Sequence, residues 1–321
     1  MTVTEAAAFL REHDNYLTLT HKRPDGDTIG SAVGLCELLR AMGKTAWLLP
    51  SLDATKVFQD YLQGRQAPPD FAPGTVVSVD VASLGLLPAN AAPYQGRIDL
   101  AIDHHPSNEF FAQETCLEAD KAACGEIIWK IADHLGIMNS AIATPLYVAV
   151  ATDTGCFVYG NTTPHTHRVA AALMEQDIPY QALNKRHFRT KSLRRMKLES
   201  LILQNMKLYQ EGTVAVAPIS LAMMAQANAT DDDAEDIAAF LGQIEGVLHS
   251  ATIRELRPGE CKISLRTNPN YLNATATCAR LGGGGHVAAS GCTVRGTVDE
   301  AETAILEAIY AQLAEQARTG L

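Results

Sequence analysis

The chain has 321 residues, long enough for two domains of ordinary size. Its 47% hydrophobic and 19% charged residues are those of a globular α/β protein, and no apolar run reaches the roughly 18–20 residues that span a bilayer. A formal net charge of −10 weighs against tight binding to long nucleic acid, whose affinity comes from neutralised phosphates, but leaves room for a small phosphorylated ligand in a locally positive site.

Met1–Arg11 carries Glu5 and no basic region, unlike a signal peptide. Tyr16–Thr20 alternates as a strand and breaks at His21-Lys-Arg-Pro-Asp-Gly-Asp27. Thr28–Met42 has helical apolar spacing and is closed by Gly43. Thr45–Leu49 and Thr75–Val79 are further strands, the latter ending in Asp80; Leu100–Ile102 is a fourth, ending in Asp103-His104-His105. Pro50–Pro73 is rich in turns and shows no clear element. Helices are expected at Ala122–Leu135, at Ala141–Thr152 leading into Asp153-Thr-Gly155, and at Thr166–Glu175. Strands alternating with helices imply a mainly parallel sheet flanked by helices.

Lys185–Lys197 holds seven Lys and Arg, followed by Leu198, Leu201, Ile202 and Met206 at helical spacing. This reads as a linker helix, its charge a solvated face. A smaller α/β domain follows, with strands at Thr213–Pro218, Val247–Leu256, Cys261–Arg266 and Cys292–Arg295. The tract Asp231–Asp236 suits a helix N-terminus. Leu272–Leu281 reads as a helix running into Gly282-Gly-Gly-Gly-His286, and Asp299–Ala317 as the last helix. The domains expected are 1–184, a linker at 185–211, and 212–321. Seven cysteines without a Cys-x-x-Cys pair argue against a disulfide framework or a thiolate zinc site and suit a reducing cytoplasm.

Ligand-type residues thus recur at the ends of elements: His21/Asp25/Asp27, Asp80, Asp103-His104-His105 and Asp153. Each alone is an ordinary turn or cap, but parallel strands bring their carboxyl ends to one edge. Four carboxylates would balance two divalent cations, and imidazole shifts the preference from Mg²⁺ towards Mn²⁺. A pair of ions ~3.5–4 Å apart can activate a bridging hydroxide for in-line attack on phosphorus. Gly-x-Gly-x-x-Gly is missing after the first strand, so a Rossmann dinucleotide site fails. Ser31 lacks a nucleophile elbow and reads as a cap or packing residue, and His165 and His167 as surface residues.

In order and spacing, His21-x-x-Pro24-Asp25-Gly26-Asp27-x-x-Gly30-Ser31, Val79-Asp80, Asp103-His104-His105 and Thr152-Asp153-Thr154-Gly155 resemble the four motifs of the DHH phosphoesterases. Gly282–Gly285 with His286, then Ala289-Ser290-Gly291, resembles the glycine-rich signature of their C-terminal domain. The layout is most similar to the nano-RNase and pAp phosphatase group. The resemblance implies one Mn²⁺ on His21, Asp25 and Asp80 and another on Asp27, Asp80, His104 and Asp153, with Mg²⁺ or Co²⁺ as substitutes. It places His105 beside the substrate phosphate, Asp103 behind the histidines, and Arg266, Gly283, Gly284, Gly285 and His286 on the substrate's other phosphate or terminal nucleotide. The substrates implied are oligoribonucleotides of 2–5 residues, cut to mononucleotides, and pAp, converted to AMP, in a cleft between domains. No long nucleic acid and no membrane are expected as partners, and a homodimer is compatible. Alternatives are a cyclic-di-AMP or pApA phosphodiesterase and, disfavoured by the complete ligand set, a non-catalytic nucleotide sensor. Phe157-Val158-Tyr159-Gly160-Asn161-Thr162 departs from relatives that carry a basic residue at position 158 and serine at 160, so an arginine contact is missing or comes from elsewhere, such as Arg168 or Lys185–Lys197.

Overall fold

The structure, a computed structural model, describes residues 1–234 and 237–319; the end of the expected Asp231–Asp236 helix start therefore lies outside the described residues. The chain divides into two compact units, Met1–Thr190 and Lys191–Leu321.

The first unit runs α1 (Val3–Glu12), β1 (Tyr16–Leu19), α2 (Gly26–Ala41), β2 (Ala46–Leu48), α3 (Gln59–Leu62), β3 (Thr75–Val79), β4 (Leu100–Asp103), β5 (Glu114–Leu117), α4 (Cys124–Leu135), α5 (Ser140–Asp153), α6 (Pro164–Met174) and α7 (Tyr180–Asn184). Its sheet is wholly parallel, in the order β2-β1-β3-β4-β5, with Tyr16 opposite Thr75, Val77 opposite Leu100 and Ile102 opposite Cys116. All of β1, β3 and β4 is buried, as in a parallel sheet covered on both faces. Residues of α1, α2, α4 and α5 pack one face, while Leu49, Leu87, Ala91 and neighbouring loops cover Leu17, Leu19 and Val76 on the other. The sequence reading lacks α1 and β5. Helix α1 starts on a Thr2–Glu5 capping box, whereas Glu114-Thr-Cys-Leu117 is an edge strand too short and polar to stand out.

The strand order reverses between β1 and β3. At such a switch point the following connections leave in opposite directions and open a crevice at the carboxyl ends of the strands. The two segments that leave this crevice carry His21–Asp27 and Asp80.

Helix α2 is nearly all buried, and its Gly26, Gly30 and Gly34 form one stripe at four-residue spacing. A Cβ at Gly30 would lie 2.4 Å from the Pro145 carbonyl oxygen, and one at Gly26 2.3 Å from Thr152 Oγ1. The stripe lets α5 approach to backbone contact, and α5 ends on Asp153.

In the second unit, α8 (Leu193–Asn205), β6 (Lys207–Tyr209), β7 (Val214–Ile219), α9 (Leu221–Ala227), β8 (His249–Arg257), β9 (Glu260–Thr267), α10 (Ala274–Ala279), β10 (Gly284–His286), β11 (Ala289–Arg295) and α11 (Val298–Thr319) build a sheet ordered β10-β11-β9-β8-β7-β6. Among the described residues, only β7 and β8 pair in parallel there. The stretch read as a linker at 185–211 is not one helix: a turn of π-helix at Lys185–Arg189 ends the first unit, and α8 is a core helix of the second. Leu198 and Ile202 are fully buried with Ala215, Ala217 and Ile219, which is where the apolar spacing of α8 leads. Arg194 and Arg195 in its first turn are held in ion pairs, with Asp233 at 3.0 Å and with Glu199 at 2.8 Å, and Lys191 just before the helix reaches Glu199 at 2.9 Å.

Candidate metal centre

The crevice at the switch point gathers the candidate ligands of the first unit. Asp25 caps α2, its Oδ1 accepting from the Asp27 and Thr28 N–H groups at 3.1 Å. Asp27, in the first turn of α2, is 2% exposed and anchors the start of α4, accepting from the Cys124 N–H at 2.7 Å and the Gly125 N–H at 3.1 Å. Ser31, one turn along α2, donates to Asp27 Oδ1 at 2.9 Å. The cap or packing role expected for Ser31 is thus support of a candidate ligand, and the i, i+4 spacing was its signal.

Asp80 lies at the centre. Its backbone is left-handed (φ 58°), a conformation aspartate tolerates better than most residues, and its carboxylate is 3% exposed. Oδ2 stands 3.7 Å from His21 Nε2, while Oδ1 stands 3.4 Å from His104 Nε2 and 3.5 Å from His105 Nδ1. His104 Nε2 is also 3.6 Å from Asp27 Oδ2 and 3.8 Å from Asp153 Oδ2, and His21 Nε2 is 3.6 Å from Asp25 Oδ1. Two sets of three ligand atoms result, His21/Asp25/Asp80 and Asp27/His104/Asp153, each with its atoms within 4.8 Å of one another. A third, Asp80/His104/His105, overlaps the second of these at His104.

Several observations fit divalent cations here. Asp80 Oδ1 is buried without a hydrogen-bond partner. His21 Nδ1 is 2.9 Å from the Lys22 carbonyl and His104 Nδ1 3.1 Å from that of Lys121. A backbone acceptor at Nδ1 selects the tautomer whose Nε2 lone pair is free, and in both rings Nε2 faces the carboxylates. The mixed oxygen and nitrogen donor set suits Mn²⁺-type ions better than Ca²⁺. Burial opposes charge on His21, but Asp25 and Asp80 outweigh it and raise the imidazole to about 9; Asp80 and Asp27 likewise bring His104 to about 10. Burial, reinforced by Asp80 and Asp153, pushes the Asp27 carboxyl well above the carboxylate range, and burial takes Asp153 to about 6. Carboxylates crowded in this way repel one another, and added positive charge relieves that repulsion.

Asp103 is fully buried behind this cluster. Its Oδ1 accepts from the His104 and His105 N–H groups and lies 2.8 Å from His105 Nδ1, while Oδ2 accepts from Asn108 Nδ2 at 2.6 Å. The hydrogen bond to Asp103 holds the His105 imidazole above its ordinary value, and the ring is one-third exposed. Asn161 donates both to the Asp153 carbonyl and to that of Ala122, tying the end of α5 to the approach to α4. No short motif marks either asparagine, since Asn108 reaches Asp103 across a five-residue turn and Asn161 bonds to backbone carbonyls. His165 is not a simple surface residue: its Nε2 is buried 3.6 Å from the fully buried Glu126.

In the second unit, Arg266 pairs with Ala289 on β9–β11, and His286 pairs with Ala289 on β10–β11. Residues directly opposite one another share a sheet face, so Arg266 and His286 flank the small Ala289 on one face. The four glycines have different causes. Gly282 is left-handed (φ 73°), Gly285 has φ 144°, and a Cβ at Gly283 would lie 2.2 Å from the Gly291 carbonyl oxygen. Gly284 meets none of these demands: it is exposed, with open space where a Cβ would stand.

The chain matches the DHH family, N-terminal domain, over residues 15–150 and the DHHA1 domain over residues 211–315. It is 32% identical over 304 residues to the bifunctional oligoribonuclease and PAP phosphatase NrnA of Thermus thermophilus, covering 92% of this chain and 89% of that protein. It is 25% identical over 297 residues to the Bacillus subtilis protein of the same name, covering 91% and 93%. Its fold is also that of an exopolyphosphatase-related protein from Bacteroides fragilis, with a TM-score of 0.87 at 22% identity over 96% of this chain and 95% of that one. The chain therefore belongs to the DHH family of hydrolases. Among the described residues, no helix is long and apolar enough to cross a membrane.

Proposed function

We propose that this protein is an Mn²⁺-dependent phosphoesterase that cuts oligoribonucleotides of 2–5 residues to mononucleotides and removes the 3′-phosphate of pAp. The observation that carries the reading is Asp80, whose two carboxylate oxygens face different histidines and different sets of candidate ligands. His21, Asp25 and Asp80 would hold one ion, and Asp27, Asp80, His104 and Asp153 the other. Two such ions supply Lewis acidity and an activated water for in-line displacement at phosphorus. His105, partly exposed and oriented by Asp103, would meet the phosphate as a hydrogen-bond donor and hold the proton that the leaving oxygen requires. Arg266 and His286 would bind the substrate's second phosphate or terminal nucleotide, with Gly284 the point of closest backbone approach. The names of the relatives support the choice of substrates.

The test is to incubate the Mn²⁺-loaded protein with pAp, pApA, pentaribonucleotides and cyclic di-AMP and to resolve the products by chromatography. Turnover of pAp and short oligoribonucleotides is expected; turnover of cyclic di-AMP alone would replace this reading, and turnover of none would refute it. Asp80→Ala is expected to lower kcat/KM at least ~10³-fold and to reduce bound metal, because both ions lose a ligand. Retained activity would exclude Asp80 from the bridging position.

A further inference from the structure

One wall of the candidate metal pocket is not a ligand type. Leu86 lines this cavity of about 150 Å³ alongside three histidines and three aspartates. It is 39% exposed at the end of the 3₁₀ turn Leu84–Leu86. In such a turn, residues three apart eclipse one another. Leu84 and Leu87 are so related, and both pack into the apolar cluster under the sheet. Leu86, off that face, is held out of the core by the packing of its neighbours.

Lys22, the residue after His21, fixes this turn from the other side. Its backbone N–H donates to the Leu86 carbonyl at 2.8 Å and its Nζ to the Gly85 carbonyl at 2.9 Å. The segment that delivers His21 to the centre therefore also sets the position of Leu86.

A space of this volume is too small for a whole nucleotide, since pockets for complete ligands run from about 300 Å³ upward, so only the reacting end of a substrate meets its walls. We propose that Leu86 is a specificity-determining residue: it packs against the sugar carbons esterified to the reacting phosphate and so favours organic phosphate esters over inorganic polyphosphates. This rests on the phosphoesterase reading above and deepens it. The contact is made to sugar, so it is indifferent to the identity of the base.

The experiment measures steady-state kinetics of the Mn²⁺-loaded full chain and its Leu86→Ser, Leu86→Met and Lys22→Met variants on pAp and on adenine and uracil dinucleotides. Inhibition by inorganic tripolyphosphate, bound metal and melting temperature are followed in parallel. Leu86→Ser is expected to raise KM about tenfold for every nucleotide, the effect of losing a partly buried leucine, with kcat, bound metal and the tripolyphosphate inhibition constant unchanged. Leu86→Met is expected to restore KM, and Lys22→Met to raise it in the same direction by loosening the turn. An unchanged KM in Leu86→Ser, a rise confined to one base, or an equal loss of tripolyphosphate binding would each overturn the proposal. Should Leu86→Ser not fold, Lys22→Met decides in its place. A wild-type protein inactive on all the nucleotides would instead refute the phosphoesterase reading itself.

Discussion

Asp103, His104 and His105 are adjacent in sequence and do three different things. Asp103 accepts hydrogen bonds from both following residues and from Asn108, His104 turns Nε2 towards three carboxylates, and His105 remains at the surface of the cluster. Replacing Asp103 with Asn keeps its shape but removes the nearer of the two carboxylates that face His105 Nδ1, at 2.8 Å against 3.5 Å for Asp80. The expected outcome is a 10–100-fold loss of activity with a smaller loss of bound metal, measured by kinetics and elemental analysis. Away from the centre, His187 stacks on Phe58 at 5.5 Å and lies 2.9 Å from the Tyr61 hydroxyl. Burial, aided by Arg186, lowers its imidazole to about 4. A free imidazole titrates near 6.5, so below that pH the unfolded chain takes up a proton that the folded chain refuses. Stability is unaffected above pH 6.5 and falls as the pH drops from 6.5 towards 4, by on the order of 2 kcal/mol after allowance for the partly exposed ring. His187→Phe is expected to flatten this acid limb in melting temperatures recorded against pH, and an unchanged slope would count against a ring held neutral in the fold.

Among the elements, the contact between α2 and α5 does most to assemble the centre. Asp25 and Asp27 stand at the start of one helix and Asp153 at the end of the other, and the glycine stripe sets the distance between them. A side chain at Gly30 meets backbone atoms of α5, which cannot turn aside. Gly30→Val is therefore expected to cost about 1–3 kcal/mol in denaturant unfolding, as overpacking does. It should also weaken metal binding, because α5 carries Asp153 away from His104; a stable variant with unaltered metal binding would show that the stripe does not position the site. The same level shows what periodicity misses. Gly30 lies inside a helix that was readable from its apolar spacing, yet nothing in that spacing tells which helix its glycines touch. The basic run Lys185–Lys197 invites a ligand, but Lys191, Arg194 and Arg195 face Glu199 and Asp233, and Arg186 faces Asp60.

For the molecule as a whole, the net charge of −10 weighs against affinity that accumulates along an extended phosphate backbone. Hydrolysis of a ribonucleotide 20-mer is expected to be at least ~10-fold less efficient than that of a dinucleotide, as kcat/KM measured at fixed salt; equal efficiency would call for a basic track. Much was legible in the residues alone: the strands of the parallel sheet, the candidate ligands at the ends of strands and helices, the glycine run before His286, and the family resemblance that the DHH and DHHA1 matches bear out. These were legible because apolar runs, breakers and short motifs are local. Long-range packing sets the strand order that puts β1 beside β3, the approach of α5 along the glycines of α2, the place of α8 in the second core, and the outward turn of Leu86. Each of these depends on which distant surface an element packs against, and a one-dimensional pattern does not contain that choice.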